Sequence, residues 1–432
     1  MKFSILNKYS LVVILASLFL SCNDDNNVLP RSGNDKSAYE IIDKTMQEWY
    51  LWNEDLPDIS SANYSSANDY FEALLADQDR WSYIANLDEL LAYFENGTYT
   101  GYGLSFKFDS YNDLRVKLIF DESPLTAEGV TRGWKLVNIN QLAISNLSEE
   151  QILNELDKSS GTFIFENNAG EQKEITASQK VLDQNTVLKR KVIPYDGTQV
   201  AYLAFDSFLG KSEDELNEAF TYFKEQNATE LVLDLRYNGG GSTYISNQLA
   251  SLITGNAFQD KIYSKTFHNA LQREKNDRFE VFFEQPSAYG FERVFVITTS
   301  GTASASEMVI NGLKPEAYMG AENVILIGSK THGKPVGMYV FEEKALNLAI
   351  VPISFSITNA NDEGGYFDGI PVNYEISDDL SHDFGDIDES NLHAALEYIK
   401  NEKFPVITAA KALSTNEREF KKKGLEELID AF

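Results

Sequence analysis

Apolar positions along the first hundred residues recur at helical spacing. Tyr39, Ile42, Met46, Trp49 and Tyr50 fall on one face. Tyr70, Phe71, Leu74 and Leu75 form a second, and Leu87, Leu90, Leu91 and Phe94 a third. Asp-Leu-Pro at 55–57 separates the first from the second. The pattern predicts a helical unit over 37–96. From 97 the period shortens. Segments 97–108, 114–120, 161–166 and 172–176 read as strands, and 122–144 as a short helix, a Gly turn and a strand. One helix is predicted at 148–156, with Ser148 and Gln151 at capping-box spacing.

From about 191, strands alternate with amphipathic helices, the pattern of an α/β layer. The segment 197–208 is a strand and 212–226 a helix, with Ser212 and Glu215 at capping-box spacing. Residues 228–253 give a buried strand, a Gly-rich turn and a helix. The run 294–309, VFVITTSGTASASEMV, is a strand, a tight turn of small residues and a helix start. Beyond it come a strand at 323–328, a loop at 329–338, strands at about 338–342 and 346–356, a loop into a strand at 366–376 and a helix at 389–401. The expected fold class is multidomain α/β (α+β): a helical part at 37–96, a small β domain at 97–190, an α/β core at 191–404 and a charged helical tail at 405–432.

The extreme N-terminus has a different pattern. Lys2 and Lys8 precede an apolar run at 11–20, too short to span a bilayer comfortably, and Ser21-Cys22 follows. This resembles a bacterial lipoprotein signal, which implies that 1–22 is a targeting segment, that Cys22 is lipidated and that the acidic stretch 23–36 is a tether. A cleaved signal with an incidental Cys is the alternative. The Asp pair after Cys22 resembles the surface-export signals of Bacteroidetes lipoproteins. Cys22 is the single cysteine, so no intrachain disulfide is available. A net charge of −29 argues against nucleic-acid binding, which needs clustered Lys and Arg. A hydrophobic content of 43% with 12% aromatics indicates a globular chain.

The candidate chemistry sits in the turn at 299–304. A hydroxyl at a helix N-terminus stands among free N–H groups that favour negative charge, as an attacking serine and its oxyanion need. An ordinary Ser/Thr N-cap is the alternative. The glycines at 239–241 lack the following Lys of a phosphate-binding loop. Neither H-E-x-x-H nor a Cys/His cluster occurs, so no metal is expected. Among the four histidines, His332 could serve a Ser-His mechanism, His393 reads as structural, and His268 and His382 as exposed. Glu307 reads as cap and dipole support.

Several stretches, in order, carry a family resemblance. Ser123-Pro124, Ala127, Gly129, Gly133 and the VNINQLAI strand resemble a PDZ domain, and Gly103-Leu104-Ser105-Phe106 its carboxylate-binding loop. Asp234-Leu235-Arg236-Tyr237-Asn238 with 239–241, TASASE at 302–307, Gly328…Thr331-His332-Gly333-Lys334, and the Asp368-Gly369-Ile370-Pro371 turn follow. Together they resemble the C-terminal processing (tail-specific) peptidases of serine peptidase family S41. The resemblance implies a peptidase core of the ClpP/crotonase-like kind, Ser304 as nucleophile and Lys334 as general base. It also implies oxyanion donors at the N–H groups of Ala305 and Gly240, and peptide binding at Gly103, Leu104, Ser105 and Phe106. The third family position, usually Gln, is Met338, which cannot orient a lysine as an amide would. A base lysine must be buried to be neutral.

The expected protein is a lipid-anchored serine endopeptidase of the cell envelope, acting on proteins with apolar C-termini and needing no cofactor. Two alternatives stand beside it: a catalytically weak or inactive peptide-binding lipoprotein on the same fold, and a surface nutrient-binding lipoprotein.

Overall fold

The computed structural model describes residues 35–406 together with Phe420 and Ile429. The segment 1–22, the lipidation candidate Cys22, most of the tether and most of the tail lie outside the described residues. Among the described residues, no helix is long and apolar enough to cross a membrane.

A six-stranded sheet carries the core. Its spatial order is Val187–Tyr195, Thr198–Phe205, Glu230–Asp234, Val294–Thr298, Val324–Gly328 and Tyr374–Glu375. The first pair is antiparallel and the rest are parallel. Strands buried on both faces need apolar residues throughout, which is why ELVLD and VFVIT read as continuous runs. Leu231, Leu233 and Val296 pack beneath helices Ser212–Glu225, Thr243–Thr254 and Ala305–Leu313. Val232, Phe295 and Ile297 face helix Ser390–Asn401 through Leu392 and Leu396.

Two local expectations divide. The Ser148–Gln151 capping box forms at helix Glu149–Leu156. The one expected at Ser212 does not: Lys211 is the N-cap, and the Ser212 hydroxyl donates to the Ser207 carbonyl at 2.9 Å. Glu215 turns instead to the sheet edge, accepting from the Thr186 and Val187 N–H groups at 2.8 Å.

The N-terminal unit has helices Asp35–Trp49, Ala67–Leu74 and Leu87–Asn96, but also a strand, Tyr83–Asn86, that the helical pattern missed. This strand pairs antiparallel with Leu348–Val351 of the core. Tyr50, Phe71 and Trp81 share a cluster with Val336, Leu348, Ile350 and Ile353. The unit is therefore packed into the core rather than built on itself.

Residues 97–190 form an antiparallel sheet of Leu104–Phe108, Leu114–Ile119, Lys135–Ile139, Ser160–Glu166 and Gln172–Ser178, with Leu142–Ala143 off its path. Its core centres on Phe106, Leu136, Phe163 and Phe165, closed by Ile152 and Leu156 of the helix. Strands Thr98–Gly101 and Lys180–Asp183 pair separately.

A buried charge cluster joins this sheet to the core. Asp378 accepts from Arg132 at 3.0 Å, Arg236 at 2.9 Å, Lys107 at 3.4 Å and the Tyr237 hydroxyl. Arg236 also pairs with Asp234 at 2.7 Å and Glu389 at 3.0 Å. Arg132 donates to the Tyr237 hydroxyl at 2.7 Å. Burial alone would raise the Asp378 pKa, but the Lys107, Arg132 and Arg236 cations hold it far below the usual carboxylate range.

Removing one member of such a cluster strands the others without compensation. Asp378→Asn is expected to destabilise the protein by about 3–5 kcal/mol, measured by denaturant unfolding at neutral pH. The aspartate's contribution is full above the unfolded carboxylate pKa of about 3.9 and is lost on acidification below it, so the deficit of the variant should shrink in acid.

Candidate active site

The turn after strand Val294–Thr298 lies at a carboxyl end of the parallel sheet, where open α/β folds bind ligands. It is stitched to the neighbouring Asp234–Asn238 stretch. The Thr302 hydroxyl donates to the Leu235 carbonyl at 2.8 Å. The Asn238 carbonyl accepts from the Ala303 N–H and the Ser306 hydroxyl, each at 3.0 Å. These bonds fix the residues on either side of Ser304 and leave it partly accessible among buried neighbours.

Ser304 itself has φ of +54° and ψ of −113°, a conformation that costs a non-glycine residue energy. It is the N-cap of Ala305–Leu313. Gly240 faces it at close range, with φ of +106° and room for no side chain. A Cβ there would lie 2.7 Å from the Ser304 Cβ and 2.9 Å from the Ala305 nitrogen. The Gly240 N–H is committed to the Asn238 side-chain oxygen at 2.9 Å. The glycine's evident role is therefore steric: it lets the 238–241 turn close onto the serine. Ala305 N–H is the first of its helix, where no intrahelical acceptor exists.

Glu307 is fully buried and organises the site. Its Oε2 accepts from the Ser304 N–H at 3.0 Å and the Lys334 N–H at 2.8 Å. Its Oε1 accepts from the Thr331 hydroxyl at 2.6 Å and the Gly333 N–H at 2.7 Å. Burial raises its pKa, and these donors pull it back down. Two donors on one oxygen place the Ser304 and Lys334 nitrogens within about 6 Å of each other. The cap role read from sequence is real, but the same carboxylate also holds a loop some 24–27 residues downstream.

Lys334 is buried, as a base lysine requires, and Lys330 is exposed. The loop carrying Lys334 is braced by the 366–370 turn. Thr331 exchanges bonds with Ile370, and Gly333 packs so tightly that a Cβ would meet the Phe367 carbonyl oxygen at 2.4 Å. Met338 ends strand Val336–Met338 and packs among Leu87, Leu90, Ala349 and Val351. It fills an apolar seam with the N-terminal unit.

His332 presents no free base. Its Nε2 accepts from the Trp81 indole N–H at 3.0 Å. Burial and the nearby Arg80 and Lys334 cations lower its pKa, while a hydrogen bond to the Ser300 carbonyl opposes them. His268, expected at the surface, is buried between Asp277 and Tyr339, each at 3.0 Å. His382 bonds Asp379 at 2.9 Å. Gly103, Leu104, Ser105 and Phe106 are all buried, and Ser105 Oγ has no partner among the described residues. They lie about strand Leu104–Phe108, at one end of its sheet. Sequence reasoning missed Arg80 and Trp81, which reach this loop from the N-terminal unit.

Gly240→Ala would force a methyl against Ser304. Its expected effect is a loss of about 1–3 kcal/mol in denaturant unfolding, with the amide resonances of Ser304 and Ala305 displaced.

Residues 199–366 match peptidase family S41 and residues 37–83 the peptidase S41 N-terminal domain. The chain is 23% identical over 324 residues to the chloroplastic carboxyl-terminal-processing peptidase 1 of Arabidopsis thaliana, covering 73% of this chain and 63% of that protein. It is 24% identical over 255 residues to a carboxyl-terminal-processing protease of Picosynechococcus, covering 57% of each. The chain thus spans roughly three-fifths of the length of these curated relatives. An S41 protease candidate from Bacteroides fragilis has the same fold, with a TM-score of 0.69, 24% identity, and coverage of 84% of this chain and 97% of that one. The two matched segments contain Trp81, the Gly-rich turn, Ser304 and Lys334, and in them the chain is similar to peptidase family S41.

Proposed function

We propose that the protein is a serine endopeptidase working through a Ser304–Lys334 dyad. The observation that carries the reading is the shared Glu307 carboxylate, which ties the Ser304 turn and the Lys334 loop to one point. Lys334, in its neutral form, takes the proton from Ser304 Oγ as that oxygen attacks the scissile carbonyl. The tetrahedral oxyanion meets the Ala305 N–H and a second N–H from the 239–241 turn. The protonated lysine then gives its proton to the leaving amine. Water, deprotonated by the same lysine, releases the acyl group and restores Ser304. Glu307 keeps the two loops in place and takes no part in proton transfer, since its lone pairs are already engaged by donors.

Residues 97–190 act as a PDZ-like unit. Gly103, Leu104, Ser105 and Phe106 form its peptide-binding loop, which captures an apolar C-terminus before an extended segment reaches Ser304. Cys22 carries the lipid that holds the protein at the cell envelope. The Met338 seam and the committed Gly240 N–H favour a second reading, a weakly active or inactive peptide binder on the same fold.

Purified wild type, Ser304→Ala and Lys334→Arg are to be compared on an unfolded protein with an apolar C-terminus. Wild-type cleavage should rise with pH as the lysine deprotonates. Both variants should lose about 10²–10⁴-fold in kcat: Ser304→Ala has no nucleophile, and the guanidinium of Lys334→Arg stays protonated at any usable pH. Cleavage by Lys334→Arg at the wild-type rate would remove the base role. Equal inertness of wild type and Ser304→Ala would favour the binder.

A further inference from the structure

We propose that Arg80 and Trp81, contributed by the N-terminal unit, are positioning residues that hold the 331–334 loop, and with it Lys334, against the Ser304 turn. The proposal rests on the Ser304–Lys334 reading above. It goes further in making the site a two-part structure that the core does not complete alone.

The turn that presents the pair is itself fixed. Asp79, buried, accepts from the Trp81 N–H at 2.9 Å and the Ser82 N–H at 3.0 Å through one oxygen. Its other oxygen accepts from the fully buried Tyr50 hydroxyl at 2.8 Å. The Ser82 hydroxyl also accepts from the Ile353 N–H at 2.8 Å, tying the turn to strand Ile353–Asn359. From this base two side chains extend toward the Lys334 loop.

Trp81 supplies the first contact, its indole N–H at 3.0 Å from His332 Nε2. An indole nitrogen can only donate, so this nitrogen must be the acceptor and the ring must be neutral, with its proton on Nδ1. The ring is also hydrogen-bonded to the Ser300 carbonyl, and the His332 N–H donates to the Thr302 carbonyl at 2.9 Å. His332 is thereby a pin between Trp81 and the turn that leads to Ser304. Arg80 supplies the second contact. Its guanidinium donates to the Phe367 carbonyl at 3.2 Å and reaches the Gly333 carbonyl at 3.5 Å, while lying 4.7 Å from the centre of the Trp81 ring. Gly333 immediately precedes Lys334. These polar contacts end on His332 and Gly333, which precede the base, and on Phe367 of the turn that braces their loop.

This arrangement has a pH signature. Protonated His332 would present a donor to the Trp81 donor and release the pin. The charged groups facing the ring are Arg80 and Lys334, and Glu307 binds the next two backbone N–H groups of the same loop. Burial and the two cations depress the His332 pKa, so release falls on the acid side of about 6.5.

The test uses the full purified chain. Trp81→Phe keeps the ring and removes the donor; His332→Gln keeps an acceptor and removes the titration; Arg80→Ala removes the second clip. Trp81→Phe should lower kcat about 10-fold or more with KM little changed. The gap to wild type should narrow as pH falls through the His332 titration. His332→Gln should retain most of the wild-type kcat and lose that acid step, and Arg80→Ala should lower kcat without it. Ring NMR of His332, which needs no activity, should show a higher pKa in Trp81→Phe. An active wild type with an unchanged kcat in Trp81→Phe, or a reduction equal at every pH, overturns the positioning role and leaves the dyad standing. Wild type as inert as Ser304→Ala overturns the dyad and this proposal with it.

Discussion

One buried carboxylate sets the geometry of the site. Glu307 lies in the first turn of a helix, where the dipole favours its charge, and is fully shielded from water. It persists there because its oxygens receive the Ser304, Gly333 and Lys334 N–H groups and the Thr331 hydroxyl. A buried charge stripped of such partners costs several kcal/mol, so the two loops cannot part without exposing that cost. The energetic consequence is rigidity in the two segments that carry the candidate nucleophile and base.

Around this point the fold layers further constraints of the same kind. The Asp234–Asn238 stretch faces two ways. Its charged side chains join the cluster around Asp378, and its backbone accepts from the Ser304 turn. A strand end is thus shared between the interface with the 97–190 sheet and the site. The N-terminal unit closes the other side, with Met338 in its apolar seam and Trp81 on His332. Met338, partly buried, packs there among Leu87, Leu90 and Val351.

The parts legible in the sequence were those whose signal is local. Apolar runs ELVLD and VFVIT, the Gly-rich turn and the TASASE segment mark a strand, a close approach and a helix start within a few residues of one another. The parts that were not legible depend on distant partners. Glu307 reads as a helix cap because that role is local, while its bonds to Thr331 and Lys334 come from a loop beyond another strand. Ser212 and Glu215 have capping-box spacing, yet Glu215 finds better donors at the sheet edge. Tyr83–Asn86 is a strand because Leu348–Val351 offers it a ladder, and His268 is buried at the end of strand Ile262–His268, which pairs antiparallel with Ile353–Asn359. Sequence spacing does not show Arg80 and Trp81 beside a loop some 250 residues away.

The most direct test of the account is the acylation rate of Ser304 in Glu307→Gln, followed in a single turnover with an ester substrate and mass detection of the acyl-enzyme. Gln keeps the size of the side chain but turns an NH₂ toward backbone N–H groups that need an acceptor. The account predicts that acylation falls about 10²-fold or more while the protein stays folded and binds substrate as before. Acylation of Ser304 at the wild-type rate in a folded Glu307→Gln protein would contradict it.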